Sequence, residues 1–248
     1  MADDLGERQL VLSLFPGIGL LDMAFEAEGF CVVRGPDLLW GGDVHAFHPP
    51  EGRFDGVIGG PPCQAFSRLR HLVQHNGLET AANLIPEYER VVREAAPTWF
   101  LMENVPDAPL PVVDGYKVHA QLVSNREDAG GVQERTRRFS FGTVDGRQLV
   151  LPFPLPPVQQ AWAPAACASG GYKPGIPTDR SARARFLGWK TEAAFRQTCA
   201  SQGLPEGFDL PPFTVAGKIK AVGNGVPLPM GRAIARAVVL TMTSARAA

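Results

Sequence analysis

Apolar and polar positions along this chain follow two rhythms. Gln9 to Phe15 (QLVLSLF) is an apolar run of strand length, and after Pro16-Gly17-Ile18-Gly19 the spacing changes. Within Leu20 to Gly29, the residues Leu21, Ala24, Phe25 and Ala27 share one face of a helix. The order is strand, glycine turn, helix. Phe30 to Val33 predicts a second strand, and Val57-Ile58, bounded by Asp55-Gly56 and Gly59-Gly60, predicts a third that is buried and parallel. Ala81 to Ala96 predicts a helix, interrupted early by Pro86, with Tyr88, Val91, Val92 and Ala95 on its apolar side. It leads into a strand at Thr98 to Met102. Tyr116 to Ser124 and Gln133 to Phe141 suit extended segments, and Thr191 to Ser201 suits a helix. Leu228 to Met242 carries Ile234, Val238 and Val239 on one helical face. The segment Phe213 to Lys220 is read only as leading to Gly223-Asn224-Gly225-Val226-Pro227. Alternating strands and helices predict an open α/β sheet, with chemistry at the carboxyl ends of its strands.

Three stretches break the rhythm. Asp43 follows Asp37 by only six positions, too few for an ordinary helix, so the second crossover is pared down to a loop. Arg68 to Thr80 is polar and reads as a mobile segment. Val144 to Thr178, which includes Pro152-Phe153-Pro154-Leu155-Pro156-Pro157, has no periodicity and predicts a small, loop-rich lobe.

Composition narrows the function classes. The 248 residues are enough to bury a full core, and 45% hydrophobic with 20% charged content is ordinary for a globular protein. A formal net charge of -1 gives no whole-chain support to nucleic-acid binding, so any basic surface must be local. The clusters available are Arg180, Arg183 and Arg185, and Lys218 with Lys220. The four cysteines (Cys31, Cys63, Cys167, Cys199) are widely spaced and form no metal or disulfide pattern. An acidic, polar start and the lack of a long apolar stretch predict a cytoplasmic protein without membrane span or signal peptide. His71 and His75 lie four apart, but no third ligand joins them, and no metal is assigned.

Several residues stand where chemistry would sit, each with an ordinary reading beside the functional one. Cys63 follows Gly59-Gly60-Pro61-Pro62 at a strand end; a lone cysteine is more often a small buried hydrophobe than a nucleophile. Gly17 and Gly19 could let backbone amides approach a ligand, or form a plain turn. Asp37 is placed to hold a ribose, or is a solvated turn residue. Glu103, at the end of the next predicted strand, faces the same crevice as Cys63; it is either a solvated carboxylate or a general acid. In an extended segment, Gln133, Arg135 and Arg137 fall on one face, suiting a base, a phosphate or a charged sheet edge.

Taken in order, LFPGIG, GGPPCQAFS, MENVP, QERTRRF and GNGVP resemble the cytosine carbon-5 DNA methyltransferases, and the resemblance runs through essentially the whole chain. It implies a Rossmann-like, S-adenosylmethionine-dependent methyltransferase sheet with a small target-recognition lobe. It further implies three segments: a catalytic and cofactor-binding domain at 1–143, the lobe at 144–212, and 213–248 returning to the first domain. Phe15, Gly17 and Gly19 would line the S-adenosylmethionine pocket, with Asp37 at the ribose, Asp43 at the adenine, and Asn224 and Val226 closing it. Cys63 would add to carbon 6 of a cytosine flipped out of double-stranded DNA, Glu103 would protonate or hydrogen-bond ring nitrogen 3, and Arg135 and Arg137 would hold the base. The segment after Ser67 would close over that base. The chain is expected to act as a monomer.

Two departures accompany the resemblance. Leu20 stands where many members carry another glycine, and the lobe is short, which implies a short target sequence or relaxed specificity. A tRNA cytosine methyltransferase of the same fold, and a catalytically silent DNA-binding homologue, are the competing readings.

Overall fold

The computed structural model describes residues 8–62, 82–151, 163–164 and 191–243. Six strands form one sheet: β1 (Leu10–Leu14), β2 (Cys31–Arg34), β3 (Gly56–Gly59), β4 (Trp99–Asn104), β5 (Lys117–Ser124) and β7 (Thr136–Thr143), in the order β2-β1-β3-β4-β7-β5. The first four are parallel, with Leu14 beside Gly59 and Gly59 beside Met102, so their carboxyl ends share one edge. β7 runs antiparallel to β4, which brings its amino end to that same edge. A second pairing joins β6 (Gln133–Glu134) to β8 (Ala163–Pro164).

Period-two alternation divides the core between the faces of the sheet. Val11, Ile58, Trp99, Leu101, Phe139 and Phe141 point towards α1 (Leu20–Ala27) and the C-terminal helix α5 (Leu228–Thr243). Leu12, Leu14, Val57, Phe100 and Met102 point towards α2 (Ile85–Ala95). A third cluster unites Leu20 with Phe195 and Cys199 of α3 (Glu192–Ser201) and Ile219 and Val222 of α4 (Val215–Asn224). The C-terminal helix thus returns to pack on the first helix of the chain.

The second crossover is indeed a loop: two 3₁₀ turns, Leu38–Trp40 and Val44–Ala46, connect β2 to β3. Two details depart from expectation. The helix expected from Ala81 starts at Ile85, with Pro86 in its first turn, where a missing N–H costs nothing. Pro86 therefore opens α2 instead of interrupting it. α4 was not anticipated, because Gly217 and Gly223 depress helix propensity; Thr214 initiates it by accepting from Gly217 N (3.2 Å). The Pro152–Pro157 stretch and the Arg68–Thr80 segment lie outside the described residues.

Glu28, just past α1, ties the two helices together by accepting from Arg232 Nε (2.7 Å) and Arg236 Nε (2.8 Å) on α5. Burial raises its carboxyl pKa, but the two guanidinium groups more than offset this and hold it below the ordinary value. Its contribution is therefore complete above the unfolded value near about 4.3 and is lost as pH falls through the lower folded value. Glu28→Gln is expected to lower unfolding free energy by about 1 kcal/mol at pH 7, a figure kept small because both guanidinium groups are partly exposed. Urea denaturation at pH 7 and pH 3 checks it; a difference that persisted unchanged at pH 3 would contradict the ion-pair account.

Candidate active site

The chain leaves β1 through a strained turn. Phe15 has φ 55, unusual for a bulky residue, and Gly17 and Gly19 follow with φ 56 and 82. A Cβ at Gly19 would run into the Arg34 guanidinium, so that flexible, half-exposed side chain would have to shift. That guanidinium bonds Asp22 (Nε–Oδ2 2.9 Å), whose other oxygen accepts from Ser13 Oγ at 2.5 Å. Burial raises the Asp22 pKa, while Ser13 and Arg34 pull it back. Asp37 spans the turn, accepting from Gly17 N (2.7 Å) and Leu39 N (2.7 Å), and Trp40 Nε1 donates to Gly17 O (2.6 Å). Leu38, Leu39 and Trp40 remain exposed beside it, and Trp40 meets Phe213 edge-on at 5.8 Å. Asp43 is exposed and caps the next turn through His45 N (3.0 Å).

At the carboxyl edge of β3 and β4, Glu103 Oε1 pairs with Arg137 Nε at 2.9 Å. They meet because antiparallel β7 begins where β4 ends. Glu103 also lies against the Gly60 backbone: a Cβ on Gly60 would sit 3.0 Å from Oε2. Buried Asn104 fixes the two strand ends together, donating from Nδ2 to Pro61 O (3.2 Å) and accepting from Val105 N (2.8 Å). On the other side of β7, Arg138 straps the following loop by donating to the carbonyls of Pro106 (2.9 Å), Ala108 and Pro109 (2.8 Å).

Burial alternates from Gln133 to Thr136 as period two requires, yet the strand breaks at Arg135. Arg135 and Arg137 consequently reach different places. Arg135, only 4% exposed, donates to Gly223 O (3.0 Å), whereas Arg137 reaches Glu103. In the late loop Asn224 is exposed and Val226 is buried in the α1–α5 core.

The structure thus gathers Phe15, Gly17, Gly19 and Asp37 around one turn and joins Glu103 to Arg137. Cys63, like Gln64, Ser67, His71, His75, Arg180, Arg183 and Arg185, lies outside the described residues. Lys218 is turned inward, 2.6 Å from Asp209 Oδ1 and over the Phe195 ring, so it is withdrawn from any backbone-binding surface; Lys220 is exposed. Sequence reasoning passed over Trp40 and Asn104. The first had a weak signal in its place just after Asp37, and the second stood unremarked inside MENVP. Among the described residues no group of three or more His, Cys, Asp or Glu could hold a metal ion, and no helix is long and apolar enough to cross a membrane.

Comparison with known proteins meets this geometry. Residues 42–109, which contain Gly60 and Glu103, match the C-5 cytosine-specific DNA methylase family. The Type II methyltransferase M.AquIA of Picosynechococcus sp. is 31% identical over 196 residues, covering 60% of this chain and 77% of that protein. The chain belongs to the C-5 cytosine-specific DNA methylase family. The Type II methyltransferase M.NgoPII of Neisseria gonorrhoeae is 30% identical over 176 residues, covering 58% of this chain and 50% of that protein. The match to M.FnuDI of Fusobacterium nucleatum likewise covers 46% of that protein, so this methylase-family chain spans about half the length of such relatives. In fold it is similar to the methyltransferase EhMeth of Entamoeba histolytica, with a TM-score of 0.64 at 12% identity over 95% of this chain and 99% of that one.

Proposed function

We propose that this chain transfers a methyl group from S-adenosylmethionine to carbon 5 of a cytosine flipped out of double-stranded DNA. The observation that carries the reading is the Glu103–Arg137 pair, held at the strand edge against Gly60, three residues before Cys63. A carboxylate can accept from a protonated ring nitrogen while the planar guanidinium beside it donates to the adjacent carbonyl oxygen, a pattern that suits a pyrimidine edge.

The donor turn fits its intended occupant on three counts. A Cβ at Gly17 would meet nothing within 4 Å, Gly19 is the N-cap of α1 and gives it no side-chain cap, and Asp37 stands beside exposed Leu38 and Trp40. Phe15, Gly17 and Gly19 would hold the methionine end, Asp37 the ribose, Asp43 the adenine amino group, and Asn224 and Val226 the closing side. S-adenosylmethionine, when bound, supplies an electrophilic methyl group.

In this mechanism the Cys63 thiolate adds to carbon 6, and the displaced double-bond electrons make carbon 5 nucleophilic. Glu103 bonds ring nitrogen 3 and Arg137 the carbonyl oxygen. Arg135 shapes the site by holding Gly223. After carbon 5 is methylated, loss of its proton and expulsion of the Cys63 thiolate restore the ring. Flipping the base costs a few kcal/mol of stacking and pairing (roughly 2–5). Residues 144–212 form the target-recognition lobe, 1–143 with 213–248 form the catalytic domain, and the chain works as a cytoplasmic monomer.

Incubation with labelled S-adenosylmethionine and mixed-sequence duplex DNA, with tRNA in parallel, tests this. Label on carbon 5 of DNA cytosine is the expected result. Label on tRNA alone would move the assignment to RNA, and DNA binding without transfer would mark a catalytically silent homologue.

A further inference from the structure

The late loop is held from three directions by groups remote in sequence. Gln202, fully buried just past α3, donates through Nε2 to the carbonyls of Val222 (2.6 Å) and Gly225 (3.1 Å). Its Oε1 accepts from Gln133 Nε2 at 2.7 Å, and Gln133 also donates to Ser201 O at 2.8 Å. The Gln202 carbonyl accepts from Leu228 N (2.9 Å), where α5 begins. From a second side Arg135 holds Gly223 O, one residue before exposed Asn224. From the third comes Leu20 at the head of α1: a Cβ on Gly225 would lie 2.6 Å from Leu20 Cδ1. The large residue at position 20 thus fits the absence of a side chain at position 225.

One carboxamide supplies two donors and an acceptor in a plane, and Gln202 uses all three in a dry interior, where an unmet partner is costly. Its partners lie on both sides of the site. Val222 and Gly225 flank Asn224, while Gln133 is two residues from Arg135 and four from Arg137. We infer that Gln202 is a positioning residue, whose side chain fixes the end of α4 with the Gly225–Val226 turn after it, and the arginine-bearing segment, in register. Donor site and base site are thereby aligned by a group that touches neither reactant. The inference rests on the reading that this loop closes the methyl-donor site.

The test compares Gln202→Leu with Thr198→Val in the full chain. Thr198 is a buried neighbour on α3 whose hydroxyl, among the described residues, bonds its own helix at Ala194 O (2.8 Å), so its loss weakens α3 without touching the loop. With no ligand present, Gln202→Leu is expected to speed hydrogen exchange of the 222–226 amides about tenfold or more, with β4 unchanged. Calorimetric affinity for S-adenosylmethionine is expected to fall about tenfold. Thr198→Val should lower Tm with neither change. Should Gln202→Leu fail to fold, Gln202→Asn, whose shorter amide cannot span all its partners, is read by the same measurements. If a folded Gln202 variant lowers Tm yet leaves both loop exchange and affinity as in the parent, the inference is overturned. If the parent binds no S-adenosylmethionine, the donor-site reading fails by itself, and the exchange rates alone decide the role of Gln202.

Discussion

If the proposed function holds, glutamine in place of Glu103 is expected to lower the rate of methyl transfer by about 10²–10⁴-fold, the range lost when a positioned acid or base is removed. Two effects combine. The replacement loses the charge that offsets Arg137, whose Nε lies 2.9 Å from Glu103 Oε1, and it loses the acidic proton or full acceptor charge that ring nitrogen 3 would meet. The fold should survive, because the side chain is nearly isosteric and Asn104 still joins the two strand ends. Affinity for S-adenosylmethionine should stay within twofold, since Glu103 belongs to the strand edge and not to the Phe15–Gly19 turn. Single-turnover rates alongside calorimetric binding decide the point. Turnover within threefold of the parent would remove Glu103 from the chemistry, and a matching loss of donor affinity would place it in the donor site instead.

The largest effect on stability is expected at Trp99, where alanine should cost about 3–5 kcal/mol. Trp99 is fully buried, faces Phe25 (6.3 Å), Phe30 (6.0 Å) and Phe141 (6.0 Å), and donates from Nε1 to Gln9 Oε1 (2.9 Å). It also occupies the space above Gly56 on the neighbouring strand, where a Cβ would run into its ring. Gly56→Ala is therefore destabilising alone, but less so once Trp99 is alanine, because the added methyl then enters a cavity. A double-mutant cycle followed by urea denaturation measures this coupling. Strictly additive losses would show that the two residues do not share the site.

Because the apolar periodicity is local, it placed β1, α1, β4, α3 and α5 within a few residues. Where it failed, a local rule had a different consequence from the one drawn: Pro86 opens α2, and α4 forms around glycines because Thr214 caps it and Ile219 and Val222 are buried by tertiary packing. Lys218 looked like surface charge until folding brought Asp209 and Phe195 beside it.

The site divides in the same way. It is the order of the motifs, and the family resemblance they carry, that makes Cys63, Glu103, the arginines and the glycine turn candidates in the sequence, where each residue taken alone has an ordinary reading. Their partners were not legible. That Glu103 meets Arg137 depends on β7 running antiparallel beside β4, and that Arg135 turns to Gly223 depends on a strand break and on a helix end 88 residues away. Asn104 and Gln202 carried no chemical signal in the sequence, because an amide becomes informative only when burial fixes what it must bond. The sequence by itself determined which groups and which elements this family member possesses. Tertiary structure decided which of them touch, because hydrogen bonds between remote segments are set by strand direction and burial, and neither is encoded in local spacing.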